Sequence, residues 1–160
     1  VRRLAIIGGG AWGSALAAVA ARAGAGVVMW ARDPSVVAAI NRRHENPLYL
    51  PGIALDPRIA ATTDAAAAIA GAQAALVVVP AQFLRAALEM LAPLMSAGLP
   101  LLLCAKGIET GSLKTMSEIA GEIVPEAPVA ILSGPSFAAE VAQGLPTAVA
   151  VASRNASLAR

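Results

Sequence analysis

A single glycine-rich turn does most to limit what this chain can fold into. Gly8, Gly10 and Gly13 form G-x-G-x-x-G, with an apolar run at residues 4–7 directly before it and an Ala-rich helical pattern directly after it. Between a strand and a helix, the first glycine permits the tight turn and the second lets a pyrophosphate approach the backbone. The third lets the helix lie close on the strand. The first turn of that helix then presents unpaired N–H groups and a partial positive charge to the phosphates of a dinucleotide. The competing reading is a glycine-rich turn without a ligand, and the strand–turn–helix context weighs against it.

The rest of the chain agrees with that opening unit. Residues 4–7, 27–30, 75–79 and 99–104 are apolar on consecutive positions, as in strands buried on both faces of a parallel sheet. Between them, helical patterns run over 12–23, 34–43, 64–70 and 82–94. This alternation predicts an α/β, Rossmann-like doubly wound domain: a mainly parallel sheet with helices on both faces. Weaker runs at 59–62, 129–132 and 148–152 add strands, and 112–123 and 137–142 add helices. Asp64 and the pair Asp33-Pro34 read as helix starts, while Gly24, Gly71 and Gly98 follow helix patterns as C-terminal caps do.

Composition narrows the function classes. The 160 residues suit one domain, and 58% hydrophobic against 14% charged residues excludes a disordered chain. The apolar runs are cut by Asp64, Gln73, Pro80 and Gln82 before they reach the ~18 residues that span a bilayer. Arg2 and Arg3 precede an apolar run that turns glycine-rich too soon for a signal peptide. Cys104, the single cysteine, reads as a buried strand residue, and with no Cys/His cluster at metal-ligand spacing a metal-free site in the cytoplasm is expected. Net charge is +2 with the basic residues scattered, so neither nucleic acid nor a membrane is expected as partner.

The end of the second strand bears on cofactor choice. A site for NAD usually places Asp or Glu there for the ribose 2′-hydroxyl; this chain reads Trp30-Ala31-Arg32-Asp33. Arg32 suits a 2′-phosphate or stacking on adenine, against the plainer reading of a solvated arginine. Asp33 is either a ribose ligand or the cap before Pro34, and the cap is favoured. NADP is therefore tolerated, and NAD or NADP is the expected cofactor.

Five motifs then stand in order: Gly8-Gly9-Gly10-Ala11-Trp12-Gly13, Asn46-Pro47-Leu48-Tyr49-Leu50-Pro51-Gly52, Val79-Pro80-Ala81-Gln82-Phe83, Lys106-Gly107-Ile108-Glu109 and Ser133-Gly134-Pro135-Ser136-Phe137-Ala138. Together they resemble the N-terminal half of bacterial NAD(P)-dependent glycerol-3-phosphate dehydrogenase, from residue 1 to about residue 153. The resemblance implies reversible hydride transfer between NAD(P)H and dihydroxyacetone phosphate, giving sn-glycerol 3-phosphate for phospholipid backbones. It implies a dinucleotide-binding domain over 1–153, with 154–160 starting the connection to a C-terminal helical substrate domain. Ala11 departs from a frequent Ser, which removes a side-chain hydrogen bond but keeps the backbone amide. The family's proton-donating Lys and phosphate-clamping Arg-Asn pair belong to that other domain, and Arg154-Asn155 is not that pair. No catalytic proton donor is thus expected within these residues, and the fragment alone is expected to be inactive.

By this resemblance, Gly8, Gly10, Ala11, Trp12, Gly13, Arg32, Tyr49, Phe83, Lys106 and Ala138 contact the cofactor, and Lys106, Gly134 and Ser136 the substrate. Each has its plainer alternative. Lys106 follows a core strand at the sheet edge where open α/β folds bind ligands, and is otherwise a surface lysine. Ser136 meets substrate or is an ordinary N-cap. Tyr49 flanks the cofactor or packs down in a proline-stiffened surface loop, and Phe83 lines the nicotinamide pocket or joins the core. His44, at a helix end beside Arg42 and Arg43, receives no catalytic role. Dihydroxyacetone phosphate, sn-glycerol 3-phosphate, the protein's own C-terminal domain and a second copy in a homodimer are the expected partners. A stand-alone NADP-sensing module and another two-domain hydroxyacid or sugar-acid dehydrogenase are the alternatives.

Overall fold

The computed structural model describes residues 2–156 and 158. Its main sheet is built from β1 (Arg3–Ile7), β2 (Gly26–Trp30), β5 (Ile59–Thr62), β6 (Ala74–Val77), β7 (Leu101–Leu103), β8 (Val129–Ser133) and β9 (Ala150–Ser153). A separate two-stranded hairpin pairs β3 (Glu45–Asn46) with β4 (Leu50–Ala54). Across the main sheet the order is β5-β2-β1-β6-β7-β8-β9. The first six are parallel, and β9 runs antiparallel to β8 at the edge. This is the doubly wound order in which the chain starts at the middle, winds outward one way and then returns to wind the other.

Side-chain alternation along β1 divides the core. Ile6 points into a cluster with Val27, Met29 and Ile59 that is covered by α1 (Ala11–Arg22) and α2 (Pro34–Arg43). Ala5 and Ile7 point the other way, among Val77, Leu101 and Leu103, beneath α3 (Ala65–Ile69), α4 (Leu84–Leu91) and α5 (Met116–Ile123). Both faces are thus covered, which is why the strands read as continuous apolar runs.

The Ala-rich sequence of α1 has a packing reason. Gly13, Ser14, Ala15, Leu16, Ala17, Ala18, Ala20 and Ala21 are all buried, because the helix is sandwiched. One side lies on the sheet; on the other, Ala15 packs with Leu50 of the hairpin and with Val141 and Ala142 of α6 (Ala138–Gln143). Small side chains let three layers approach one helix. Arg22, in the last turn of α1, fixes α6 by donating to the carbonyls of Val141 at 2.8 Å and Ala142 at 2.7 Å, satisfying groups that a helix end leaves unpaired.

Helix starts follow the sequence closely. Asp33 accepts from the Ser35 amide at 2.8 Å and Asp64 from the Ala66 amide at 2.9 Å, caps that each contribute ~1 kcal/mol. Other boundaries differ. The helix expected over 82–94 is a 3-10 turn at Ala81–Phe83, then α4, then a second 3-10 turn at Ala92–Leu94, where Pro93 ends the regular ladder. The helix expected from 112 begins at Met116: Glu118 accepts from the backbone N–H and hydroxyl of Thr115, so the start is set there. Residues 108–115 instead form a tight excursion closed by an Ile108–Thr115 bridge, with Leu113 at φ 56°. The proline-containing stretch 46–52, read as a loop, holds the end of β3, a turn at 47–49 and the start of β4. Cys104 lies one residue past β7, buried as expected.

Candidate functional site

The cleft opens at the carboxyl ends of the strands, where β1 and β6 lie side by side and their chains leave toward opposite faces of the sheet. It encloses about 1130 Å³, ample for a large cofactor. Each stretch that follows a central strand contributes: 8–13 after β1, 31–33 after β2, 78–81 after β6, 104–106 after β7, and Ser136 and Ala138 after β8.

The glycine turn is tight for reasons that single atoms explain. Gly8 sits at φ +134°, and a Cβ there would lie 2.3 Å from the Val78 carbonyl oxygen on the neighbouring strand's extension. A Cβ on Gly13 would lie 2.0 Å from the Gly8 carbonyl oxygen. Gly10 is different: a Cβ there would meet no protein atom within 4 Å. Packing therefore requires Gly8 and Gly13, whereas the space beside Gly10 is left for something outside the chain. Gly10 also serves as the N-cap of α1 without any side-chain bond, and the first turn holds no acidic residue. The helix N-terminus thus keeps its free amides and its partial positive charge. A phosphate-bearing dinucleotide fits this donor set.

The walls carry two exposed cations, Arg32 and Lys106. Lys106 Nζ donates to the Gly134 carbonyl at 2.6 Å, which ties the segment after β7 to the segment after β8. Asp33 faces the cleft but spends its carboxylate on the Ser35 amide; hydrogen bonds from Ser35 hold it below the ordinary carboxylate value. Trp30 donates its indole N–H to the Thr63 carbonyl at 3.0 Å, keeping its ring on the cleft wall. Cys104 also lines the space, with burial pushing its thiol up to about 12, so it stays protonated.

Of the residues named from the sequence, Gly8, Gly10, Ala11, Trp12, Gly13, Arg32, Tyr49, Phe83, Lys106, Ser136 and Ala138 all line this one cleft. Gly134 does not; its part in the site is the carbonyl that receives Lys106. Tyr49 is 48% and Phe83 57% exposed, so the packed-down and core readings of these two fail. Ser136 is not the cap of α6, because Phe137 holds that position.

Sequence reasoning named Phe83 but missed the wall that α4 adds beside it: Ala86, Ala87 and Met90 also line the cleft, with Phe83 a helical i, i+3, i+4, i+7 stripe that periodicity alone could have revealed. It also missed the polar support beneath the Lys106 segment. Gln82 donates to the Ile108 carbonyl at 2.9 Å and accepts from the Thr110 amide at 2.8 Å, and Arg85 makes a two-pronged pair with Glu109 at 2.9 and 2.8 Å. Arg85, and then the Ser112 hydroxyl, bring the Glu109 carboxyl down to about 2. Among the described residues, no group of three His, Cys, Asp or Glu is placed to hold a metal ion, and no helix is long and apolar enough to cross a membrane.

Known proteins give the same picture from a different direction. Residues 3–159 match the family model described as NAD-dependent glycerol-3-phosphate dehydrogenase N-terminus. Glycerol-3-phosphate dehydrogenase [NAD(P)+] of Rhodospirillum rubrum is 54% identical over 159 residues, covering 99% of this chain and 46% of that protein. The enzyme of that name from Caulobacter vibrioides is 55% identical over 158 residues, covering 99% and 47%. The crystal structure of glycerol-3-phosphate dehydrogenase from Coxiella burnetii superposes with a TM-score of 0.92 at 34% identity, covering 98% of this chain and 48% of that one. The chain spans about half the length of these relatives. With a strand order, a glycine turn and a sequence that agree over nearly its full length, the chain belongs to the family of NAD-dependent glycerol-3-phosphate dehydrogenase N-terminal domains.

Proposed function

We propose that this chain is the cofactor-holding half of an enzyme that interconverts dihydroxyacetone phosphate and sn-glycerol 3-phosphate with NAD or NADP. The observation that carries the reading is the coincidence of eleven sequence-named residues on one cleft, around a helix N-terminus left free of side-chain caps. The cofactor supplies or takes up the hydride when bound.

The chain's own residues divide the remaining work. The amides from Gly10 to Gly13 hold the pyrophosphate, and the absence of an acidic residue in the first turn of α1 avoids repulsion there. Arg32 stands at the end of β2, where its guanidinium can make paired bonds to a 2′-phosphate, while Asp33 is engaged as a cap. Tyr49, Phe83 and Met90 supply the apolar walls that orient flat rings and exclude water. Lys106 and Ser136 face the same space from the segments after β7 and β8; they bind the substrate's phosphate and oxygen atoms, and Gly134 sets the ammonium's position. No residue of this cleft is assigned the proton donor.

The protein's other half is the partner this reading requires, and the exposed side chains of Ile108, Leu113, Phe137, Leu145 and Val149 are where it covers this one. A homodimer is the second use for such apolar surface. The reading places the work in the cytoplasm, where Cys104 stays reduced.

Titration calorimetry of the 160-residue chain with NADH and NADPH tests the binding half. Saturable binding is expected, with no turnover of dihydroxyacetone phosphate until the remaining half is present. In Arg32→Ala, NADPH should weaken more than NADH by about 1–3 kcal/mol, the scale of hydrogen bonds to a charged group. Equal loss for both cofactors would assign Arg32 to adenine stacking instead. A folded chain that binds neither cofactor overturns the reading.

A further inference from the structure

One fully buried side chain reaches the glycine turn from outside it. Asn46, in the short strand β3, is 0% exposed, as is Ser14 on α1. The Asn46 amide uses both its N–H groups: Nδ2 donates to the Gly9 carbonyl at 2.9 Å and to the Ser14 hydroxyl at 2.8 Å. Its Oδ1 faces the Tyr49 amide at 3.4 Å. A buried amide is costly unless satisfied, so the contact with Gly9 is held firmly on the inside of the turn.

The geometry of the peptide unit turns this contact into an orientation. All described peptide bonds are trans, and in a trans unit the C=O of one residue and the N–H of the next point in opposite directions. With the Gly9 carbonyl drawn toward Asn46, the Gly10 N–H is directed away from the hairpin. Gly10 lines the cleft and has open space beside it. Two adjacent glycines would otherwise let this peptide plane rotate at little cost, and a rotated plane would present a carbonyl oxygen where a phosphate must sit.

We propose that Asn46 is a positioning residue for the phosphate-binding turn: its buried amide locks the Gly9–Gly10 peptide so that the Gly10 N–H serves as an anion donor. The same side chain joins that turn to the hairpin bearing Tyr49, so the two cofactor contacts are set together. The proposal rests on the reading that this turn takes a dinucleotide.

The test uses the full-length protein and two ligands, NADPH and adenosine 2′-phosphate, which keeps the adenine and 2′-phosphate but has no pyrophosphate. Asn46→Ala and the similarly sized Asn46→Leu should weaken NADPH by about tenfold or more, the scale of a lost hydrogen bond to a charged group, and leave adenosine 2′-phosphate within about twofold. A merely structural role would lower the melting temperature and weaken both ligands alike, or neither, and either pattern overturns the proposal. Should both variants fail to fold, the unmodified protein still decides: the Gly10 amide resonance should shift and gain protection from exchange on NADPH addition, and an unmoved Gly10 amide overturns the lock. If the unmodified protein binds no NADPH at all, it is the cofactor reading that fails.

Discussion

The two walls of the cleft are built on different principles. The wall made by the glycine turn, α1 and the β3–β4 hairpin is held by close backbone packing, by the buried Asn46–Ser14 pair and by apolar contacts of Ala15 with Leu50 and Val141. The wall that carries Lys106 is held mainly by polar side chains near the surface: Gln82 on Ile108 and Thr110, Arg85 on Glu109 and Glu122, and Lys114 on Glu122. Apolar side chains also stand exposed on that side, Leu113 at 77% and Phe137 at 73%. Buried packing fixes a geometry nearly independently of salt and pH; partly exposed ion pairs are screened and titrate. The first wall is therefore pre-formed by its own packing, and the second is a semi-rigid surface that can adjust.

Gly13→Ala gives the sharpest contrast. The new Cβ would press on a backbone carbonyl that has no flexible end to move aside, so overpacking should cost about 1–3 kcal/mol and separate α1 from the turn. Thermal melting should fall and saturable NADPH binding should vanish in calorimetry. Binding retained at its original strength would show that the first wall is as adaptable as the second.

Arg85→Ala should have a smaller and more local effect. It leaves Glu109 without its guanidinium partner, so amides of residues 106–115 should exchange with deuterium several-fold faster while those of 8–14 stay as before. Equal acceleration of both segments would mean that the walls open as one unit.

The mildest probe is acid. The Glu109 carboxyl is brought from its ordinary 4.5 to about 2 by Arg85 and Ser112. A group whose folded value is depressed contributes stability that is whole above the ordinary value and is lost as pH falls toward the folded one. Protection of residues 106–115 should accordingly decline between pH 4.5 and about 2. Asp56, held near 2 by Arg58, should weaken the segment before β5 as pH falls from its ordinary 3.8 toward about 2. Exchange measured at pH 5 and pH 3 should show these segments loosening before the glycine turn; simultaneous loss would break the distinction.

The difference between the walls also explains what could be read in advance. The first unit was legible because strand, turn and helix are contiguous, and the need for Gly13 arises at the Gly8 carbonyl only five residues back, although Gly8 itself is hemmed in by Val78 on the extension of a distant strand. The hairpin at 45–54 escaped notice because its strands are short, Pro47 and Pro51 mask its pattern, and its stability comes from Leu50 packing on a distant helix. The start of α5 falls at Met116 and not at 112 because Ser112 and Thr115 are both acceptable near a start, and only the reach of Glu118 selects Thr115. Exposure at Tyr49 and Phe83 was equally hidden, since an aromatic ring in a cleft and one in a core leave the same letter.

By itself the sequence determined the architecture and the location of the phosphate-binding turn, because period, consecutive apolar strands and glycine spacing are local properties that short-range sterics enforce. Only the tertiary structure decided that Asn46 reaches Gly9 across 37 positions, that Lys106 rests on the Gly134 carbonyl and that Arg85 supports the excursion at 108–115. Such bonds link groups far apart in the chain. Their geometry exists only after the sheet has set the distances between the loops that follow its strands.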